Sequence, residues 1–140
     1  SNNYGPRQYP EKMIPKIILN ILENRRIPVY SKGENIRDWI YVEDHCEAIL
    51  NVFYGGGVGE KYNVGGECEI KNIDLVELII DMMGADYNLI EYVDDRPGHD
   101  LRYAIDNAKI KNALSFRPKH TLEEGLKKTI TWYEYEGYRN

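Results

Sequence analysis

The chain is expected to fold as an α/β protein with a small sheet of short strands and about five helices. Three observations carry this. Segments with helical apolar spacing alternate with short β-branched and aromatic runs, the pattern of a layered α/β fold. The length, 140 residues, suits one domain. A composition of 42% hydrophobic and 29% charged residues is that of a folded chain, which excludes wholesale disorder.

The opening, Ser1-Asn2-Asn3-Tyr4-Gly5-Pro6, has no periodic pattern and reads as a loop cut from a larger context. Ile14, Ile17, Ile18, Ile21 and Leu22 have the spacing of an amphipathic helix, with Pro15 in its first turn and Arg25 and Arg26 expected in its last. Ile27 to Tyr30 reads as an edge strand because of Pro28. Lys32 to Asn35 is a turn, and Ile36 to Val42 is a strand. From about Glu43 a helix should carry Cys46, Ile49, Leu50 and Phe53 on one face and stop at Gly55-Gly56-Gly57. Lys61 to Val64 is expected as a short strand. A well-buried helix from about Ile73 to Met83 is capped by Asn72 or Asp74 and ended by Gly84. Leu89 to Val93 is a strand, followed by the loop Asp94 to Asp100 and a short helix from Asp106 to Leu114. Thr121-Leu122-Glu123-Glu124 matches a capping box and opens a last helix with Leu122, Leu126, Ile130 and Tyr133 inward. Gly125 weakens that helix slightly.

A net charge of -5 disfavours nucleic acid as a partner. No apolar run is long enough to span a bilayer. Cys46 and Cys68 lie far apart and read as buried free thiols. His45, His99 and His120 have no metal-ligand spacing, so no metal is expected. Gly55-Gly56-Gly57-Val58-Gly59 follows a helix and misses the spacing of a dinucleotide turn. No Tyr is followed four positions later by Lys. No catalytic residue is therefore assigned, and the chain reads as one built to hold a ligand.

The residues that suggest holding are few. Lys12 adds charge to a helix N-terminus, already a favourable place for an anion. Arg37 offers a planar fork suited to phosphate, although Asp38 beside it could simply pair with it. Asp95-Arg96-Pro97-Gly98-His99 is an irregular loop that could aim Arg96 and His99 at one point. Pro28-Val29-Tyr30 gives a rigid edge with an aromatic that could stack on a base. Together they describe a diphosphate and base pocket.

Six stretches then occur in order: Asn2-Asn3-Tyr4-Gly5-Pro6, Pro10 to Pro15, Pro28-Val29-Tyr30, Ile36 to His45, Tyr62 to Gly66 and Asp95 to Asp100. The set resembles the C-terminal part of the dTDP-glucose 4,6-dehydratases, in the extended short-chain dehydrogenase/reductase group. Arg-Pro-Gly-His-Asp with Pro-Glu-Lys is the more specific element of the resemblance. It implies residues 1–140 as a single substrate-binding domain truncated from a larger cytoplasmic, homodimeric enzyme, with the Rossmann domain absent. NAD would be bound mainly by that missing N-terminal domain. In the full enzyme dTDP-glucose would be oxidised at C4, lose water across C5 and C6, and be reduced at C6. By motif, Asn2, Lys12 and Met13 would contact the substrate and Asn3 would lie near NAD. Pro28, Val29 and Tyr30 would line the base site, and Arg37 and Arg96 would grip the diphosphate. Asn72 and His99 would complete the pocket, with Asp95, Pro97 and Gly98 shaping its loop. Ser31 stands where the family often has Gly. The same lobe of a nucleotide-sugar epimerase or decarboxylase, or a stand-alone binding module, are the alternatives.

Overall fold

A computed structural model of the chain describes residues 1–94, 98 and 100–136. The elements run β1 (Asn2–Tyr4), α1 (Met13–Leu22), β2 (Ile27–Tyr30), β3 (Ile36–Tyr41), α2 (Val42–Gly55), β4 (Glu69–Lys71), α3 (Asn72–Met83), a 3-10 turn (Tyr87–Leu89), β5 (Ile90–Val93), β6 (Arg102–Tyr103), α4 (Ala108–Leu114) and α5 (Leu122–Tyr135).

The strands form two sheets rather than the single small sheet expected. β3 is the hub of the larger one. Its first residues pair with β4 antiparallel and β6 parallel, and its second half pairs with β1 in parallel. β2 and β5 make a separate parallel pair. Side chains alternate across β3. Trp39 and Tyr41 join the main core with Tyr4, the isoleucines of α1, Leu75, Val76, Ile79 and Ile80 of α3, and Leu122, Leu126 and Ile130 of α5. Ile40 joins a second cluster with Ala48 of α2, Ile110 of α4 and Phe116. Helices thus cover both faces of the sheet, as parallel pairing requires.

Several helix boundaries follow their sequence signals. Pro15 lies in the first turn of α1, Gly84 ends α3 in the left-handed region at φ 62°, and the capping box of α5 is complete. Asp44, buried in the first turn of α2, accepts from the His120 backbone N–H at 3.0 Å and pairs with its Nδ1 at 2.9 Å, tying the start of α5 to α2.

Other expectations are corrected. The opening is not a loop, because β3 offers Asn2–Tyr4 a ladder. Three residues are too few for a periodic signal. α1 ends at Leu22, with Asn24 left-handed at φ 52°, so Arg25 and Arg26 lie beyond it. Arg25 pairs with Glu23 at 2.7 Å, and Arg26 donates to the Asn88 carbonyl. Among the described residues Lys61 to Val64 has no strand partner, while β4 and β6, both very short, pair with β3 alone. Asn72 and Asp74 do not cap α3, because the helix begins at Asn72 itself, with Lys71 at the cap. The apolar side of α2 faces outward: Ile49, Leu50 and Phe53 are exposed, Cys46 with them, and Ala48 and Asp44 point in. Cys68 is half-buried. Helical spacing fixes which residues share a face, and the neighbours decide which face is covered. Ser31 is left-handed at φ 51°, a conformation that suits the Gly often found there in the resembling family.

Gly125 is more than a weak point in α5. The Tyr4 ring lies against it: a Cβ at that position would stand 2.8 Å from Cζ and 2.9 Å from Cε2. Tyr4 is buried and donates to the Leu122 carbonyl at 3.3 Å. Gly125→Ala is therefore expected to destabilise the chain by about 1–3 kcal/mol through overpacking. The usual gain of about 1 kcal/mol for this change in a helix is lost. The urea midpoint of the variant, measured by circular dichroism, checks this.

Candidate functional site

A cavity of about 570 Å³ opens between the N-terminal ends of α1 and α3 and strands β1, β2 and β3. It gathers nine of the residues singled out from the sequence: Asn2, Asn3, Lys12, Met13, Pro28, Val29, Tyr30, Arg37 and Asn72. They come from five separate elements, or the residue before one, spread over seventy positions. Asp95, Arg96, Pro97 and His99 lie outside the described residues. Gly98 is exposed, left-handed at φ 75°, and does not line the cavity.

Each group reaches the cavity for a local reason. Lys12 precedes α1, where unpaired N–H groups already favour an anion, and Lys16 follows one turn later on the same side. On β3, Arg37 shares a face with Trp39, and both line the cavity. Asp38 points the other way and does not pair with Arg37. Its carboxylate accepts the backbone N–H groups of Gly66 and Cys68, each at 2.8 Å. Arg37 instead donates to two neutral carbonyls, of Ile36 at 2.7 Å and Asp100 at 2.9 Å. These bonds hold the guanidinium without cancelling its charge, and among the described residues no carboxylate pairs with it. With Lys12 and Lys16 opposed only by Glu11, the wall is net positive.

Asn3 is held tightly. Its Nδ2 donates to the Ser1 carbonyl at 3.2 Å, and its Oδ1 lies 2.7 Å from His45 Nδ1. Burial holds the His45 imidazole below its ordinary value. Neutral His45 with hydrogen on Nδ1 donates to Asn3.

Behind the cavity wall lie buried polar atoms without partners. Among the described residues, five buried side-chain polar atoms have no partner: Ser1 Oγ, Gln8 Oε1, Trp39 Nε1, Asn72 Oδ1 and Trp132 Nε1. The first four belong to cavity-lining side chains. Such atoms are rare in folded proteins and costly unless something binds them. The sequence reading missed Gln8, Lys16, Trp39 and His45. Two-residue alternation from Arg37 could have found Trp39, and helical spacing from Lys12 could have found Lys16. Gln8 has no local signal.

The depressed His45 gives a pH signature. As pH falls below about 6.5, the unfolded chain takes up the proton before the folded one does. Stability present above that pH should decline as pH drops toward the lower folded value. Urea melts at pH 7.5 and 5.5 should show a smaller loss for His45→Gln than for the parent chain.

Comparison with known proteins accords with this geometry. A family model described as GDP-mannose 4,6 dehydratase matches residues 1–129. The dTDP-glucose 4,6-dehydratase 1 of Escherichia coli (strain K12) is 51% identical over 95% of the chain, and the match spans 39% of that protein. Among solved structures, the NAD complex of dTDP-glucose 4,6-dehydratase from Bacillus anthracis superposes with a TM-score of 0.92 at 51% identity. It covers 97% of this chain and 43% of its own. DesIV, a dTDP-glucose 4,6-dehydratase from Streptomyces venezuelae, gives 0.93 at 43% identity, over 96% of this chain and 42% of its own. The chain therefore spans about two fifths of the relatives it matches.

The expected placement, a C-terminal lobe from which the Rossmann layer is absent, is corrected. Three of the four strand ladders are parallel and helices cover both faces of the larger sheet, an α/β arrangement consistent with a Rossmann-type layer. The resemblance implied that this layer was absent, but a parallel layer needs only paired strands with covered faces. The assignment of NAD to a missing domain goes with it. On the match over residues 1–129, the chain belongs to the GDP-mannose 4,6 dehydratase family.

Proposed function

We propose that residues 1–140 bind the nucleotide sugar of a dTDP-glucose 4,6-dehydratase, which in the whole enzyme yields dTDP-4-keto-6-deoxyglucose and water. The observation that carries this reading is the convergence of nine dispersed residues on one cavity with a positive wall. Arg37 grips the diphosphate, its unneutralised fork donating to phosphate oxygens. Pro28, Val29 and Tyr30 line the base site. Asn2, Lys12 and Met13 contact the sugar, and Asn72 closes the pocket from the start of α3. Arg96 and His99 belong to the same proposal, with Asp95, Pro97 and Gly98 shaping their loop. Similarity to relatives at 51% identity supports the dTDP-glucose branch.

NAD is the cofactor proposed for the whole enzyme, and one relative is described in complex with it. Asn3 is the residue of this chain proposed to lie near it. Its amide donates to the Ser1 carbonyl and faces His45 Nδ1, and it keeps a second Nδ2 hydrogen and a second Oδ1 lone pair for a ligand. The cavity residues account for holding the sugar nucleotide, not for hydride chemistry. Holding is itself useful: binding energy from the nucleotide positions the distant sugar ring for reaction.

Isothermal titration with dTDP tests the reading. Arg37→Ala should weaken binding by about 1.5–3 kcal/mol, the range for hydrogen bonds to a charged group. UDP should compete poorly. Equal affinity of the variant would remove the diphosphate assignment, and a preference for UDP would favour an epimerase or decarboxylase substrate instead.

A further inference from the structure

We infer that Lys16 is a further phosphate-binding residue, whose ammonium holds the diphosphate from α1 while Arg37 holds it from β3. The inference deepens the proposed function and rests on it. Lys16 lines the cavity and its side chain is exposed, so the ammonium is free to reach into the open space. Its backbone N–H donates to the Lys12 carbonyl at 2.9 Å, which sets the two lysines one turn apart on the cavity side of α1.

That arrangement works against the helix. Cations are unfavourable near a helix start, and like charges one turn apart repel. The first turn of α1 has no acid to offset either effect. Lys109, Lys111, Lys119 and Lys128 each pair with a glutamate, whereas among the described residues no hydrogen bond or ion pair engages the Lys16 side chain. Across the same cavity Arg37 has only neutral carbonyl partners. Two cations from separate elements thus face one open space without a carboxylate on either. A ligand with two linked phosphates brings an anion for each. Arg37 supplies a fixed planar fork, and Lys16 a point charge on a flexible stem that follows whichever phosphate oxygen comes within reach. A nucleoside without phosphates gives Lys16 nothing to neutralise.

The test is isothermal titration of the whole chain with dTDP, inorganic pyrophosphate and thymidine. Lys16→Met keeps the stem and removes the charge. It should weaken dTDP and pyrophosphate about fivefold to tenfold, between the effect of an exposed ion pair and that of a fully formed charged hydrogen bond, and leave thymidine unchanged. Lys16→Arg should restore most of the affinity, and added salt should narrow the gap between Lys16→Met and the parent. Lys127→Met makes the same charge change at an exposed position of α5 off the cavity, and should alter none of the three. If Lys16→Met binds dTDP and pyrophosphate like the parent while Arg37→Ala weakens dTDP, the inference is overturned and the binding function stands. Thymidine weakened as much as dTDP would put Lys16 on the base and also overturn it. If dTDP binds no more tightly than pyrophosphate, the nucleotide reading fails, and the Lys16 dependence of pyrophosphate alone supports or overturns the inference. Absence of binding by both anions overturns both.

Discussion

Because β3 is hydrogen-bonded to β4 and β6 along its first half and to β1 along its second, its register is locked from several directions. A slip of one residue would exchange its two faces. Arg37 and Trp39 would leave the cavity, and Asp38 would lose the two backbone N–H groups it accepts. The core and the binding wall therefore depend on the same constraint. Trp39 and Tyr41 anchor one hydrophobic cluster and Ile40 the other, so burial on both sides of one strand fixes where the guanidinium points.

The charges around this strand are divided by role. Asp38 and Asp44 are buried and spend their carboxylates on backbone and His120 donors, which makes them structural. Arg37 has only neutral carbonyl partners among the described residues. A buried acid with full hydrogen bonding holds shape. A cation held by neutral dipoles keeps its field, which is what an anionic ligand needs. Adjacent residues of opposite charge thus do unrelated work, and their adjacency in sequence is no guide to pairing.

The outward apolar stripe of α2 shows how burial depends on neighbours. Its Ile49, Leu50 and Phe53 have the spacing of an inward face, yet the small residue Ala48 is what meets β3 and α4. Similarly, Gly125 looks like a defect within its helix and becomes necessary only when the Tyr4 ring is laid against it.

The sequence by itself determined the helices of α1, α3 and α5, the strands β2, β3 and β5, and nine of the residues that line the cavity. Those depend on periodicity, capping and short motifs, which are local. Only the tertiary structure decided the division into two sheets, the strands β1, β4 and β6, the exposed face of α2, the places of Trp39 and Gln8 on the cavity, and that of His45 beside Asn3. Each of these depends on a partner distant in the chain: a strand of two or three residues exists only through its ladder, and a cavity exists only where several elements meet. Local sequence carries the chemistry of a side chain, whereas its surroundings are set by whatever packs against it.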